Sequence, residues 1–130
     1  MPTSTHDRGV RGESRAANHL RLRGYRILEH NYRVPMGEID LIVRRGSTVA
    51  FVEVKMRRSR YKGKPVEAVN ERKVHRISCA AACYLEYKKP KGVKTYRFDV
   101  IGVGPERNLL GMLKVVHIEN AFEASRDFNI

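Results

Sequence analysis

The sequence lacks the features that direct a protein to a membrane or to secretion. No stretch of the 130 residues approaches the ~20 consecutive apolar residues of a membrane-spanning helix. The N-terminal residues 1–11 have no apolar core of the kind that a secretory signal needs. The two cysteines, Cys79 and Cys83, are too few for a disulfide framework. We therefore expect a cytoplasmic protein without a membrane partner.

Acidic residues are also scarce. The chain has 14 Asp and Glu against 26 Lys and Arg, which gives a formal net charge of +12. An excess of this size favours a polyanionic partner, with nucleic acid ahead of an acidic membrane. Charge alone does not distinguish an enzyme from a binding protein.

The pattern of apolar residues predicts one α/β domain that covers residues 1–130. Hydrophobic residues make up 42% of the chain, which is enough for a packed core, and there is no repeat or linker. Helical spacing covers about 4–23 and a second segment that opens at Pro65 and ends before Pro90. Strand patterns cover about 25–33, a hairpin at 38–57, then 95–103 and 113–119. This αβββαβ(β) order predicts a central mixed sheet flanked by helices.

The hairpin contains the most informative pattern of the chain. With a two-residue turn at 46–47, counting back along both strands places Asp40 opposite Glu53 and Glu38 opposite Lys55. Side chains alternate between faces along a strand, so these four are expected on one face. Directly opposed residues have Cβ atoms about 5 Å apart, and like charges at that distance are destabilising. A cation is therefore expected near the Asp40–Glu53 pair, either Lys55 or a divalent metal.

These residue types suit the hydrolysis of phosphodiester bonds. Such hydrolysis uses a metal that polarises the phosphoryl group and lowers the pKa of the attacking water. Mg²⁺ commonly binds one or two carboxylates together with substrate phosphate, and Asp40 and Glu53 supply such a pair. Lys55 can orient the water and stabilise developing negative charge. The alternative is a structural cluster of ion pairs at the end of a strand.

The spacing Asp-x12-Glu-x-Lys across a hairpin resembles the PD-(D/E)xK, or restriction-endonuclease-like, nuclease superfamily. The wider sequence resembles a narrower group, the YraN-like family of small bacterial proteins. The resemblance covers nearly the whole chain. The matching stretches are Gly9-x-x-Gly12-Glu13-x-x-Ala16, Leu20, Gly24-Tyr25-x-Ile27-Leu28, Asn31-x-Arg33, Gly37-Glu38-Ile39-Asp40-Leu41-Ile42, Phe51-Val52-Glu53-Val54-Lys55-x-Arg57, Gly63-x-Pro65-x-Glu67-Ala68-Val69, Lys73, Ala81, Tyr84-Leu85 and Arg97-Phe98-Asp99-Val100-Ile101.

The resemblance implies an endonuclease-like fold close to archaeal Holliday junction resolvases. It implies a metal site, for Mg²⁺ or Mn²⁺, at Asp40 and Glu53, completed by Glu13 on the first helix. With Lys55, these residues form the expected catalytic set of an endodeoxyribonuclease, a hydrolase whose candidate substrates are branched or single-stranded DNA. By analogy with the resolvases, a homodimer is expected. The alternative is a non-catalytic protein that retains the nuclease fold and binds DNA, or RNA at the ribosome.

A run of basic residues directly follows Lys55 and is the candidate nucleic-acid-binding segment. A charge run is usually only solvated, but one that leaves an active site is suited to grip a phosphate backbone. Lys73, on the second helix, is a further candidate for a phosphate contact. The basic residues of the loop are Arg57, Arg58, Arg60, Lys62 and Lys64.

A third group of residues invites a zinc site but does not support one. His75, Cys79 and Cys83 follow each other at four-residue steps on the second helix. Eight residues of helix rise about 12 Å, which is too far for all three to reach one ion. We expect both cysteines to be small buried packing residues, and Tyr84 to belong to the core.

Overall fold

The protein is described by a computed structural model of residues 5–57 and 69–130, with side chains from residue 11 onward. The order of helices and strands confirms the predicted αβββαβ(β) pattern. Among the described helices, none is long and apolar enough to cross a membrane. The elements are α1 (Thr5–Leu22), β1 (Arg26–Val34), β2 (Gly37–Arg45), β3 (Thr48–Met56), α2 (Glu71–Lys88), β4 (Thr95–Arg107) and β5 (Leu113–Ile118).

The start of α2 differs from the prediction. The helix begins at Glu71 and not at Pro65, which itself lies outside the described residues. Asn70 has an extended backbone, and its Oδ1 accepts a hydrogen bond from the backbone N–H of Lys73 at 2.9 Å. This side chain caps a helix N–H that has no partner within the helix, and so fixes the first turn there. The helix ends at Lys88, before Pro90, as predicted.

The five strands form one mixed sheet in the order β1-β2-β3-β4-β5. Neighbouring strands are antiparallel except for β3 and β4, which are parallel. A parallel pair needs a long crossover connection, and the segment that contains α2 supplies it. The C-terminal ends of β3 and β4 therefore lie at the same end of the sheet as the start of β2.

The two helices cover opposite faces of the sheet, because side chains alternate along each strand. Leu41 and Val43 pack in the core cluster beneath α1, whereas Ile42 and Phe51 pack in the cluster beneath α2. Alternation along β2 predicts that Ile39 shares the face of Leu41, but this prediction is wrong, since Ile39 packs beneath α2. On the N-terminal side of Leu41, β2 is paired with β1 alone.

Helix α2 approaches the start of β2 closely, and this contact determines which side chain of α2 lies at the open end of the β2–β3 hairpin. A Cβ atom at Gly37 would overlap the carbonyl oxygen of Arg76, so only glycine allows this contact. Lys73 lies almost one helical turn before Arg76. This packing brings its ammonium group to the carboxylate of Glu53.

Candidate active site

The register of the central hairpin is the one that the turn predicted. Gly46 has φ +61°, a conformation that glycine adopts readily, and the turn pairs Arg45 with Thr48. The ladder continues without a shift to Leu41 opposite Val52 and ends there. The predicted faces of Asp40 and Glu53 depend on this register, and it is confirmed over the residues that pair.

Asp40 lies one residue beyond the end of the ladder. Its Oδ2 accepts a hydrogen bond of 2.7 Å from the backbone N–H of Val54. That N–H therefore bonds to a side chain, and the backbones separate where Asp40 and Glu53 were expected to pair directly. The expected pairing of Glu38 with Lys55 is wrong. Glu38 pairs instead with Arg33 of β1 across the sheet, with 3.6 Å between Nε and Oε2.

The carboxyl groups of Asp40 and Glu53 nevertheless interact. Glu53 is buried, and Asp40 is partly buried. Burial and the negative charge of Glu53 raise the pKa of Asp40 to about 8, against the opposing effect of the Val54 N–H. The charge of Glu13 raises this pKa further, and so does a hydrogen bond between the carboxyl groups of Asp40 and Glu53. Without a cation between them, the pair holds a proton at neutral pH.

Two lysines lie against the same carboxylate. The Nζ atom of Lys73 is 3.0 Å from Glu53 Oε1, and that of Lys55 is 3.5 Å from the same atom. Burial lowers the pKa of Lys73, but the charge and hydrogen bond of Glu53 outweigh it and the net shift is upward. Lys55 is thus on the predicted face. The partner that the structure gives Lys73 is Glu53, which sequence reasoning did not anticipate.

Glu13 reaches this end of the sheet from α1. Its Oε2 accepts a hydrogen bond of 3.1 Å from Asn31 Nδ2, and its charge contributes to the raised pKa of Asp40. Asn31 has φ +48°, a left-handed conformation that asparagine tolerates better than most residues. Sequence reasoning did not assign it a role, although an asparagine inside a strand pattern signals such a conformation.

The side chains that could hold a metal ion are the carboxylates of Asp40 and Glu53. Within residues 5–57 and 69–130, no group of three or more His, Cys, Asp or Glu side chains is arranged to hold a metal ion. Glu13 is therefore near Asp40 but is not gathered with Asp40 and Glu53 into a three-ligand site. Two carboxylates are sufficient for Mg²⁺, which usually keeps several waters and takes phosphate oxygens from a substrate.

The predicted basic segment is described only at its first residue. Arg58, Arg60, Lys62 and Lys64 lie outside the described residues. Arg57 has an intramolecular partner, since its Nη1 lies 3.1 Å from Glu106 Oε2. Its backbone N–H also donates to the carbonyl oxygen of Val103 at 2.9 Å. These contacts join the end of β3 to β4, and a phosphate contact by Arg57 stays a prediction.

The residues of α2 that resemble zinc ligands are dispersed. His75 Nε2 lies 3.3 Å from Asp127 Oδ2, at the C-terminal segment. Cys79 is half-buried and Cys83 is exposed, so the expectation that both cysteines are buried is wrong. Position 83 lies on the solvent side of the helix. Tyr84 is buried, as predicted.

A second charged cluster lies on the α1 face and was not predicted. Asp99 is fully buried, and its carboxylate accepts hydrogen bonds from Arg97 Nη2 at 2.8 Å and Nε at 3.1 Å. His117 Nε2 and the backbone N–H of Asn120 bind it at 2.9 Å each. Burial raises the pKa of Asp99, but these hydrogen bonds outweigh it and the net shift is downward. A carboxylate inside the apolar run 98–103 was the available signal.

Comparison with known proteins gives a family. The family model described as "Uncharacterised protein family UPF0102" matches residues 12–103, which include Glu13, Asp40, Glu53, Lys55 and Lys73. A UPF0102 protein of Syntrophomonas wolfei is 42% identical over 114 residues, 88% of this chain and 96% of its own. One of Mesorhizobium japonicum is 46% identical over 115 residues, 88% and 86% of the two chains. One of Chlorobium chlorochromatii is 43% identical over 124 residues, 93% and 95%.

Proposed function

The chain belongs to the UPF0102 family, and from the geometry of its carboxylate site we propose that it is a metal-dependent endonuclease acting on DNA phosphodiester bonds. The main support is the Asp40–Glu53 pair, in which burial and mutual repulsion raise the pKa of Asp40 to about 8. Acidic side chains with such a shift, at the end of a central hairpin, are candidates for a functional site. The mixed sheet flanked by two helices is consistent with a nuclease-like core of the PD-(D/E)xK type.

The residues of the site fit Mg²⁺ or Mn²⁺. Asp40 and Glu53 supply hard oxygen donors, and their repulsion is relieved when a divalent cation replaces the shared proton. Glu13, held by Asn31, would act on the ion through water. A bound ion supplies Lewis-acid polarisation of the phosphoryl group and a water of lowered pKa.

Lys55 and Lys73 supply the positive charge that the carboxylates lack. Lys55 and Lys73 both lie within 3.5 Å of Glu53 Oε1 and are partly exposed. Their ammonium groups can orient the attacking water and stabilise negative charge that develops on the phosphate oxygens. Because they approach from β3 and from α2 respectively, they can contact a phosphate from two sides.

The net charge of +12 supports a nucleic-acid substrate over a small phosphate ester. The basic segment 57–64 directly follows β3, the strand of Glu53 and Lys55, in the sequence. We therefore propose DNA as the substrate, in branched or single-stranded form, with these residues as backbone contacts.

Cleavage assays on a panel of DNA structures test the proposal. Purified protein is incubated with duplex, single-stranded, forked and four-way DNA in Mg²⁺ or Mn²⁺, beside Asp40→Ala and Lys55→Ala. We expect at least one substrate to be cut, and each substitution to lower the rate by about 100-fold or more. The matched controls are Glu86→Ala and Lys91→Ala, which remove an exposed carboxylate and an exposed lysine elsewhere. These controls should cleave like the unmodified protein.

A binding protein without turnover is the second candidate. One observation favours it: Lys73 and Lys55 already neutralise Glu53, so the site is partly compensated without a metal. If no substrate is cut and Asp40→Ala and Lys55→Ala bind DNA or RNA normally, this second candidate is correct. Cleavage that survives both substitutions would contradict the assigned roles.

A further inference from the structure

The tip of the β4–β5 hairpin exposes consecutive apolar side chains. Leu109 is fully exposed, Leu110 is 80% exposed, and Met112 beside them is partly exposed. Single exposed apolar residues are common on protein surfaces, whereas adjacent ones indicate an interaction site. The segment Asn108–Met112, here called the hairpin tip, is therefore a candidate contact surface.

Hydrogen bonds fix the conformation of the hairpin tip. The Oδ1 atom of Asn108 accepts from the backbone N–H of Leu110 at 2.9 Å and of Met112 at 3.0 Å. The backbone N–H of Asn108 donates to the Met112 carbonyl at 2.8 Å, and Arg107 Nη1 donates to the Gly111 carbonyl at 2.7 Å. An apolar contact held in place in this way loses little conformational entropy when it binds.

The hairpin tip lies at the same end of the sheet as the carboxylate site. Lys55 is level with Gly102 in the parallel ladder, and β4 continues beyond the end of β3. At ~3.3 Å per residue, Leu109 is at most about 23 Å from that level. The base of the hairpin is joined to site elements, since Arg15 Nε of α1 donates to the Leu113 carbonyl at 2.9 Å. On the other side of the site, the β1–β2 turn exposes Met36 by 68%.

Charge and area decide what the hairpin tip contacts. Exposed basic side chains, Arg107 and Lys114, flank it, and the chain carries +12 overall. A second copy would bring like charge to this surface. Three apolar side chains also offer far less than the ~800 Å² that each partner buries in a stable protein complex. The faces of nucleic-acid bases are apolar, narrow and surrounded by phosphate charge, which matches this surface.

We propose that the hairpin tip is a wedge that packs Leu109 and Leu110 against unstacked bases of the DNA substrate. This inference rests on the proposed function and specifies its substrate class: DNA with bases already unstacked near the cleaved phosphate, as at a fork or junction. Separating stacked bases costs a few kcal/mol per step, and apolar side chains are the groups that proteins insert there. A forked substrate lowers that cost because the single-stranded bases at its branch are already unpaired.

Binding measured in EDTA tests the wedge without requiring cleavage. The double variant Leu109→Ser/Leu110→Ser changes only exposed side chains, and Leu22→Ser, at an 80% exposed leucine at the end of α1, is the matched control. Affinities for a fork and for a duplex of the same sequence are measured by fluorescence anisotropy. We expect the double variant to lose about tenfold in fork affinity, the scale of one lost base contact, and to keep its duplex affinity. A 2-aminopurine base at the branch should report a smaller fluorescence change with this variant.

The outcomes separate the wedge from the proposed function. Equal fork affinity for the double variant and the unmodified protein, or no preference of the unmodified protein for the fork, would overturn the wedge. A dimer in sedimentation velocity that the double variant alone dissociates would show a subunit contact instead, and would also overturn it. A fork preference that depends on the hairpin tip, without cleavage of any substrate, supports the wedge and contradicts only the nuclease proposal.

Discussion

Asp99, which is fully buried, and Asp40, which is partly buried, differ in the partners that the chain provides. Asp99 receives two hydrogen bonds from Arg97 and further ones from His117 and a backbone N–H, and its pKa is lowered. Asp40 has the Val54 N–H as a donor and Glu53 as a neighbour, and its pKa is raised to about 8. The same type of side chain is therefore stabilised as an anion in one place and as an acid in the other.

We propose that this difference separates a structural carboxylate, Asp99, from a functional one, Asp40. A buried charge is tolerated when the protein pairs it and completes its hydrogen bonds, as it does at Asp99. At Asp40 the side-chain charges that shift the pKa, those of Glu53 and Glu13, have the same sign, and the two lysines lie against Glu53. Where a protein omits the counter-charge, an external cation can supply it. Under the proposed function, the Asp99 cluster stabilises the fold and the Asp40–Glu53 pair binds the metal ion.

The largest expected effect is the loss of stability in Asp99→Asn. The substitution removes the buried partner of Arg97, which keeps the more exposed Glu119 at 3.5 Å, and we expect the free energy of unfolding to fall by about 3 kcal/mol at pH 7. Because the folded-state pKa of Asp99 is lowered, its contribution is present above the unfolded pKa of about 4 and is lost as pH falls below it. Urea unfolding of Asp99→Asn and of the unmodified protein at pH 7 and at pH 3.5 measures the difference in the free energy of unfolding and its change with pH.

The matched control for Asp99 is Asp127→Asn. Asp127 is exposed and its partner is His75, so its substitution should change the free energy of unfolding by less than about 0.5 kcal/mol. If Asp99→Asn proves as neutral as the control, the Asp99 cluster does not stabilise the fold, and Asp99 is not the structural carboxylate that the contrast with Asp40 requires.

The opposite sign is expected for Asp40→Asn. An asparagine imitates the protonated acid, since it can accept from Val54 and donate to Glu53. The folded-state pKa of Asp40 is raised, so the folded protein binds the extra proton and its stability falls as pH rises from about 4 to about 8. We therefore expect Asp40→Asn to raise the free energy of unfolding by about 2 kcal/mol at pH 8 in EDTA, and by much less at pH 5.

Urea unfolding at these two pH values checks the sign for Asp40→Asn. Glu38→Gln is the control, because Glu38 pairs with Arg33 at a more exposed position and should show no such pH trend. A variant that is less stable than the unmodified protein at pH 8 would mean that the Asp40 carboxylate is compensated in the fold, as Asp99 is.

The features that the sequence predicted well depend on residues that are close together in the chain. The order of elements and the hairpin register from Leu41–Val52 to the turn follow from alternation and from a two-residue turn at Gly46. The presence of Asp40 and Glu53 at one site followed from the same counting. The start of α2 was missed because Asn70, not the earlier Pro65, supplies the cap.

What the sequence did not predict depends on packing between distant elements. Glu38 pairs with β1 because β2 has two neighbours, and counting along one hairpin considers only one of them. Lys73 reaches Glu53 because α2 approaches β2 at Gly37. The Asp99 cluster combines side chains of β4 and β5, whose register shifts between Val103 and Arg107, so counting back from the turn does not give their pairing. No periodicity within a single segment contains these contacts.

The smallest expected effect tests the functional half of the comparison directly. If Mg²⁺ binds between Asp40 and Glu53 with a dissociation constant of about 1 mM, 10 mM Mg²⁺ stabilises the fold by about 1.4 kcal/mol. This corresponds to a rise in Tm of about 3–5 °C, measured against KCl of equal ionic strength. The rise should be absent in Asp40→Asn and Glu53→Gln but present in Asp99→Asn. It should also be larger at pH 8 than at pH 6, because the ion displaces the proton of Asp40. A Tm that responds equally in all four proteins would place the ion elsewhere and remove the distinction between the two carboxylates.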